Sequence, residues 1–306
     1  MNMSYEAFKE QINNDIRDYV KEKYPDTSVI CRKRYLLNEE IDSIDVYIND
    51  NGSSLNIKGI YDEYCTRGNE DYQDLLGTIH DLVDSALRVQ ENLTKEFTCI
   101  KEEIMKDQII FLLINTEKNK EFLKTIPHRE FLDLSIVYKY LPCEGMQTFI
   151  NNAMCEYMNL SEEDLYKLAR ENTRRICDIR CADYYEFLKK ELSKIDIPKE
   201  VFEMCFGKSE NCNFGYLMLA KENFYGPVGL LYEDILEELS QKLNGNFFII
   251  PSSIYECIMH DESSNNTQFL KDLIFSQNKE VVTINEFLSN SVYRYSADSK
   301  KIEIAE

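Results

Sequence analysis

The chain has 306 residues, 43% of them apolar, with 16 Phe and 20 Tyr, which suffices for a sizeable core and excludes disorder throughout. Against 35 basic residues stand 55 acidic ones, a net charge of −20, so a general phosphate-binding surface, which needs a net basic face, is disfavoured. Acidity of this size serves solubility first and attraction to a basic partner second.

In chain order, a first helix is predicted from Ser4, which can cap it, and from Tyr5, Phe8, Ile12, Ile16 and Tyr19 on one face, with Pro25 as its stop. Strand-like segments follow over 28–37 and 44–48, and Asn51-Gly52 predicts a hairpin turn into a strand at 55–58. A long amphipathic helix is expected over about 71–91, with Leu75, Ile79, Leu82 and Val83 on its apolar face. Residues 1–93 thus read as a helix–small sheet–helix front module, and residues 94–306 as a larger domain.

The larger domain is expected to open with a short helix carrying Phe97, Ile100 and Ile104. A strand over 109–114 and one or two helical turns over 117–124 follow. From Leu132 to Tyr140, apolar and polar residues alternate, and period two predicts a strand with one buried face. A turn at 142–145 returns the chain antiparallel over 146–150. Ser161, followed by Glu162, Glu163 and Asp164, is a strong helix start, with a cap and then acids at the positive end of the dipole. Further helices are expected at 182–194, 199–206, 228–243 and 265–276, and strands at 216–220, 247–250, 254–259, 291–295 and 301–304. Without a regular βαβ rhythm, the class is α+β, a mixed and mainly antiparallel sheet flanked by amphipathic helices.

Four stretches carry a resemblance: IIFLLINTEKNKEFLKTIPHREFLDLSIVY, NLSEEDLYKLARENT, GLLYEDILEELSQKLNGNFFIIPSSIYECI and LSNSVYRY. In order and spacing they resemble a bacterial family catalogued as domain of unknown function 5688. The resemblance spans about 105–296 and, more loosely, the front module. It implies an intracellular bacterial protein. It implies no activity, and it transfers no functional residue.

The most chemical-looking cluster is His128, Arg129 and Glu130 with Asp133. An imidazole, a guanidinium and two carboxylates suit acid–base work if they converge. Strand alternation sends Glu130 and Asp133 to opposite sides, which favours an ion-pair network instead. Asn115, Asn119 and Asn172 read as caps and turn formers. Pro251-Ser252-Ser253 follows an apolar strand, but the glycine-flanked elbow of a serine nucleophile is missing.

Cys177 and Cys181, sharing a helix face, and Cys205 with Cys212 offer four thiols for a metal, although structural zinc pairs are usually closer spaced. No GxxxxGK[ST] or GxGxxG occurs, so no nucleotide cofactor is expected, and none of another kind is indicated. Phe224 and Tyr225, in the loop KENFYGP, are the candidate binding surface. The N-terminal stretch MNMSYEAFKEQ is not signal-like, no apolar run reaches membrane-spanning length, and ten dispersed Cys suit a reducing compartment. The expectation is a soluble, cytoplasmic binding or regulatory protein with a protein partner and no catalysis. The alternative is a hydrolase- or transferase-like enzyme with a pocket near 128–133.

Overall fold

The computed structural model describes residues 3–48, 51–67, 72–97, 105–143, 145–195, 197–207, 215–222, 224–264 and 266–306. The chain divides into two compact units, Met1–Lys101 and Glu102–Glu306.

In the first unit, α1 (Tyr5–Lys23) is capped by Ser4, whose hydroxyl accepts from the Ala7 amide at 3.4 Å, and it buries Phe8, Ile12, Ile16 and Val20. The strands β1 (Thr27–Leu36), β2 (Glu39–Ile48) and β3 (Asn51–Asn56) form an antiparallel sheet in that order. The hairpin exists, but not with the expected turn: Asn51 pairs with Ile48 and Gly52 with Tyr47, inside β3. Residues 49 and 50, which connect the two strands, lie outside the described residues.

The strand expected at 55–58 stops at Asn56, and α2 (Ile57–Arg67) begins there. The Asn56 side chain accepts from the Gly59 amide at 3.2 Å and so satisfies a free donor of the first turn. The helix α3 (Tyr72–Phe97) completes the unit. It absorbs Phe97 from the expected short helix, while Ile100 and Ile104 lie outside the described residues. One core joins the apolar faces of α1, α2 and α3 to Ile44 and Val46 of β2.

The second unit holds two sheets. In the first, β4 (Ile109–Asn115) and β5 (His128–Phe131) flank the central β6 (Leu134–Tyr140). The short β7 (Thr148–Phe149) continues along β6 where β5 ends, pairing with Lys139 and Tyr140. The helix α4 (Lys120–Leu123) sits in the β4–β5 connection. A central strand is covered on both faces, so β6 buries both its residue sets, not the one that alternation predicts.

Then come α5 (Asn152–Met158), α6 (Glu162–Cys177), β8 (Arg180–Asp183), α7 (Tyr184–Ser193) and α8 (Lys199–Phe206). Ser161 and Asp164 form a capping box at the start of α6. The Thr173 hydroxyl on α6 accepts from the Phe111 amide of β4 at 2.8 Å, tying helix to sheet.

The second sheet is six-stranded and antiparallel. It contains β8, β9 (Tyr216–Leu219), β10 (Phe247–Ile250), β11 (Glu256–Asp261), β12 (Tyr293–Ser296) and β13 (Lys301–Ile304), in the order β13-β12-β10-β11-β9-β8. On one face, Leu217, Phe248, Ile250 and Ile258 pack with Leu270 and Ile274 of α10 (Thr267–Glu280). Cys257 lies within 3.8 Å of both the Met218 and Met259 sulfurs.

The helix expected over 228–243 is two elements. A buried 3-10 segment (Gly226–Leu231) meets extended Tyr232, and α9 (Glu233–Lys242) follows. Gly226 is required where it stands, because a Cβ there would lie 2.7 Å from Leu219 Cα and from the Met218 and Tyr255 carbonyl oxygens. No described helix is long and apolar enough to cross a membrane.

Candidate functional site

The residues 128–133 do not form a strand with their successors. They form β5 and a tight turn, in which Leu132 takes a left-handed backbone (φ 57°). Along β5, His128 and Glu130 are exposed while Arg129 and Phe131 are half-buried. Arg129 reaches α6: its Nε donates to Glu162 Oε1 at 3.2 Å, and its Nη2 donates to Glu162 Oε2 at 2.8 Å and Glu163 Oε2 at 2.5 Å. This forked pairing is the geometry that guanidinium and carboxylate favour. The guanidinium also lies 4.0 Å from the Tyr166 ring centroid. Tyr138 donates its hydroxyl to Glu162 as well. Bonding to Arg129 holds the Glu163 carboxyl below its usual range.

Asp133 faces another partner set. Its Oδ2 accepts from Ser289 at 2.6 Å and Ser291 at 3.0 Å, and its Oδ1 accepts from Tyr293 at 2.5 Å. Burial, with Asp133 next, pushes the Tyr293 hydroxyl well above its ordinary value. His128 Nδ1 lies 3.1 Å from the Ile126 carbonyl oxygen. The four residues therefore do not converge on one point. Two stretches of the family resemblance do meet here, through Asp133 and the 289–293 segment.

The Asn residues work as turn and cap groups. Asn115 donates to the Leu288 carbonyl at 3.0 Å and accepts from the Lys118 amide at 2.9 Å. Asn119 donates to the Asn115 carbonyl at 2.7 Å, and Asn172 to that of Lys106 at 2.8 Å. Ser252 is buried, and its hydroxyl lies 3.4 Å from the Glu256 carbonyl oxygen.

The thiols do not share a helix face. Cys177 ends α6, because Asp178 takes a left-handed conformation (φ 47°), and Cys181 belongs to β8, opposite Met218. Burial pushes both thiols up to about 12. Cys205 is exposed on α8, and Cys212 lies outside the described residues. Among the described residues, no group of three or more His, Cys, Asp or Glu is placed to hold a metal ion.

Phe224 is half-buried, and Tyr225, expected on a binding surface, is only 4% exposed. Tyr225 turns inward because the following 3-10 segment is buried, and it stacks on Tyr255 with centroids 5.8 Å apart. Its hydroxyl donates to Gln147 Oε1 at 2.5 Å and accepts from Lys139 Nζ, also at 2.5 Å. Lys139 Nζ lies 3.3 Å from Gln147 Oε1, 4.8 Å from the Phe149 ring centroid and 4.9 Å from that of Tyr225.

No described carboxylate pairs with Lys139, and burial alone pushes its amine down to about 8. Here β6 and β7 position the amine and ring of one sheet against the loop residues 225 and 255 beside the other. Sequence reasoning overlooked Lys139, although a lone Lys between Tyr138 and Tyr140 in an apolar strand is a signal. Such an amine can hold an anion, sit as a cation against rings, or act as a nucleophile once neutral.

No curated protein and no solved structure matches the chain. A family model matches residues 5–297, across both units and including both Lys139 and the Asp133 cluster, and the chain therefore belongs to the family of unknown function DUF5688.

Proposed function

We propose that the protein is a soluble, cytoplasmic bacterial protein that binds or regulates a protein partner rather than catalysing a reaction at 128–133. The observation that carries this reading is the engagement of Arg129 and Asp133, two of the four reactive-looking side chains, with the scaffold. Both Asp133 oxygens take hydroxyl donors, and Arg129 is forked onto Glu162 and Glu163. An acid–base pair needs groups that reach one substrate atom, and these point to separate partners. The charge of −20 supports solubility and disfavours nucleic acid as the partner.

Two measurements test this. Purified chain in a broad screen of ester, phosphoester and peptide substrates is expected to show no turnover above buffer. Turnover that His128→Ala abolishes would overturn the reading. Co-purification of the tagged full chain from its native host is expected to bring down a protein in stoichiometric amount, and failure to do so at native expression level counts against it.

A further inference from the structure

We infer that the outer edge of β1 docks an extended acidic peptide by strand addition, with carboxylates at alternate positions facing Arg32 and Arg34. This inference rests on the protein-partner reading and names the chemistry of that partner. The first support is the edge itself. The strand β1 has ten residues, and β2 pairs with one side of it. Among the described residues no strand lies on the other side, and none of the ten is buried. In an antiparallel pair, alternate residues turn both N–H and C=O away from the partner, so about half of β1 offers its backbone to a further strand. The other edges offer less. The strand β3 has six residues, β4 has seven that are all buried, and β8 and β13 have four each.

The second support is charge. Asp45 of β2 is fully buried and accepts from the Nε of both Arg32 and Arg34, the latter at 2.9 Å and 3.1 Å. The Tyr47 hydroxyl accepts from Nη2 of both. The two guanidiniums are thus held side by side, 47% and 35% exposed, two positive charges against one negative. Alternation places Ile30, itself 45% exposed, on the same face. An added strand sets its own alternate side chains directly opposite these three. Carboxylates opposite the arginines and an apolar group opposite Ile30 complete the pairs, which in an antiparallel strand reads acid-x-acid-x-apolar.

Charge also decides against a second copy of the chain as the occupant. Laid antiparallel about Lys33, a second β1 would set Arg32 against Arg34 and Lys33 against Lys33, and like charges directly opposite are destabilising. Strand addition draws affinity from the backbone, while the alternate side chains supply the selection.

The test uses the full chain and a fluorescein-labelled peptide as long as β1, with threonine throughout except for two glutamates and a valine in that pattern. Its anisotropy is expected to saturate below about 1 mM. The same peptide with lysine for glutamate is expected to bind at least about ten-fold more weakly, because two attractive cross-strand pairs become repulsive. Amide exchange followed by mass spectrometry is expected to slow over 27–36 when the glutamate peptide is bound. Arg32→Gln leaves Arg34 on Asp45 and is expected to weaken that peptide several-fold. The two peptides on the unaltered chain decide the matter even if this variant fails to fold. Equal binding of both peptides, no saturation, or no slowing of exchange over 27–36 overturns the inference. Failure to co-purify any partner counts against the protein-partner reading. A partner that co-purifies and is not displaced by excess glutamate peptide overturns the edge alone.

Discussion

Lys139 is held in an environment that disfavours its charged form. Its amine is about 8 in the folded chain against an ordinary 10.5, so between those pH values the unfolded chain binds more protons. Folding stability attributable to this residue therefore rises across that window, and the full cost is carried below it. Lys139→Met, which keeps the stem and drops the charge, is expected to stabilise the chain at pH 7 by roughly 1–2 kcal/mol, a figure lowered because the side chain stays partly exposed. The check is urea unfolding of both proteins from pH 7 to 10.5, with the gain shrinking as pH rises. A loss of stability at pH 7 would mean that the hydrogen bonds to Tyr225 and Gln147 outweigh the desolvation.

Between elements, Asp133 joins the β5–β6 turn to the segment that enters β12, by three hydroxyl donors. Bonds to a charged acceptor exceed neutral ones, so Asp133→Asn is expected to cost about 1–3 kcal/mol by weakening several at once. A urea midpoint unchanged within error would show that the cluster contributes little.

Sequence reading at this scale succeeded where caps and long periodicities spoke, as at Ser4 and Ser161. It failed where two elements share one apolar stripe. Val228, Leu231, Ile235 and Leu239 keep helical spacing, yet extended Tyr232 breaks the helix, and the crowding around Gly226 belongs to distant chain. It missed β5 because half of that strand faces solvent, and α2 because β-branched Ile57 looked like more strand. For the candidate site, alternation along one strand was expected to separate Glu130 from Asp133, but β5 ends at Phe131 and a turn through left-handed Leu132 lies between the two residues. The partners of Asp133 were not legible either, since Ser289 lies 156 residues from it. Tyr225 looked exposed for the same reason: what covers it comes from residues 147 and 255.

At the scale of the molecule, each unit carries its own buried apolar cluster, one around Phe8, Ile44 and Ile79 and another around Phe248, Ile258 and Ile274. A segment with its own core is expected to fold alone. Residues 1–101 and 102–306, expressed separately, should each unfold cooperatively in urea with near-native far-ultraviolet circular dichroism. Non-cooperative melting of either piece would show that it depends on the other.

The strand order of the large sheet has one more consequence. Its outermost members among the described strands, β13 and β8, are four residues long, and they carry Lys301 and Glu303 on one side and Arg180 and Asp183 on the other. A further chain seeking to add itself as another ribbon would meet charges and a strand of only four residues. The apolar strands between them are thereby kept from pairing with a further chain through the ends of this sheet.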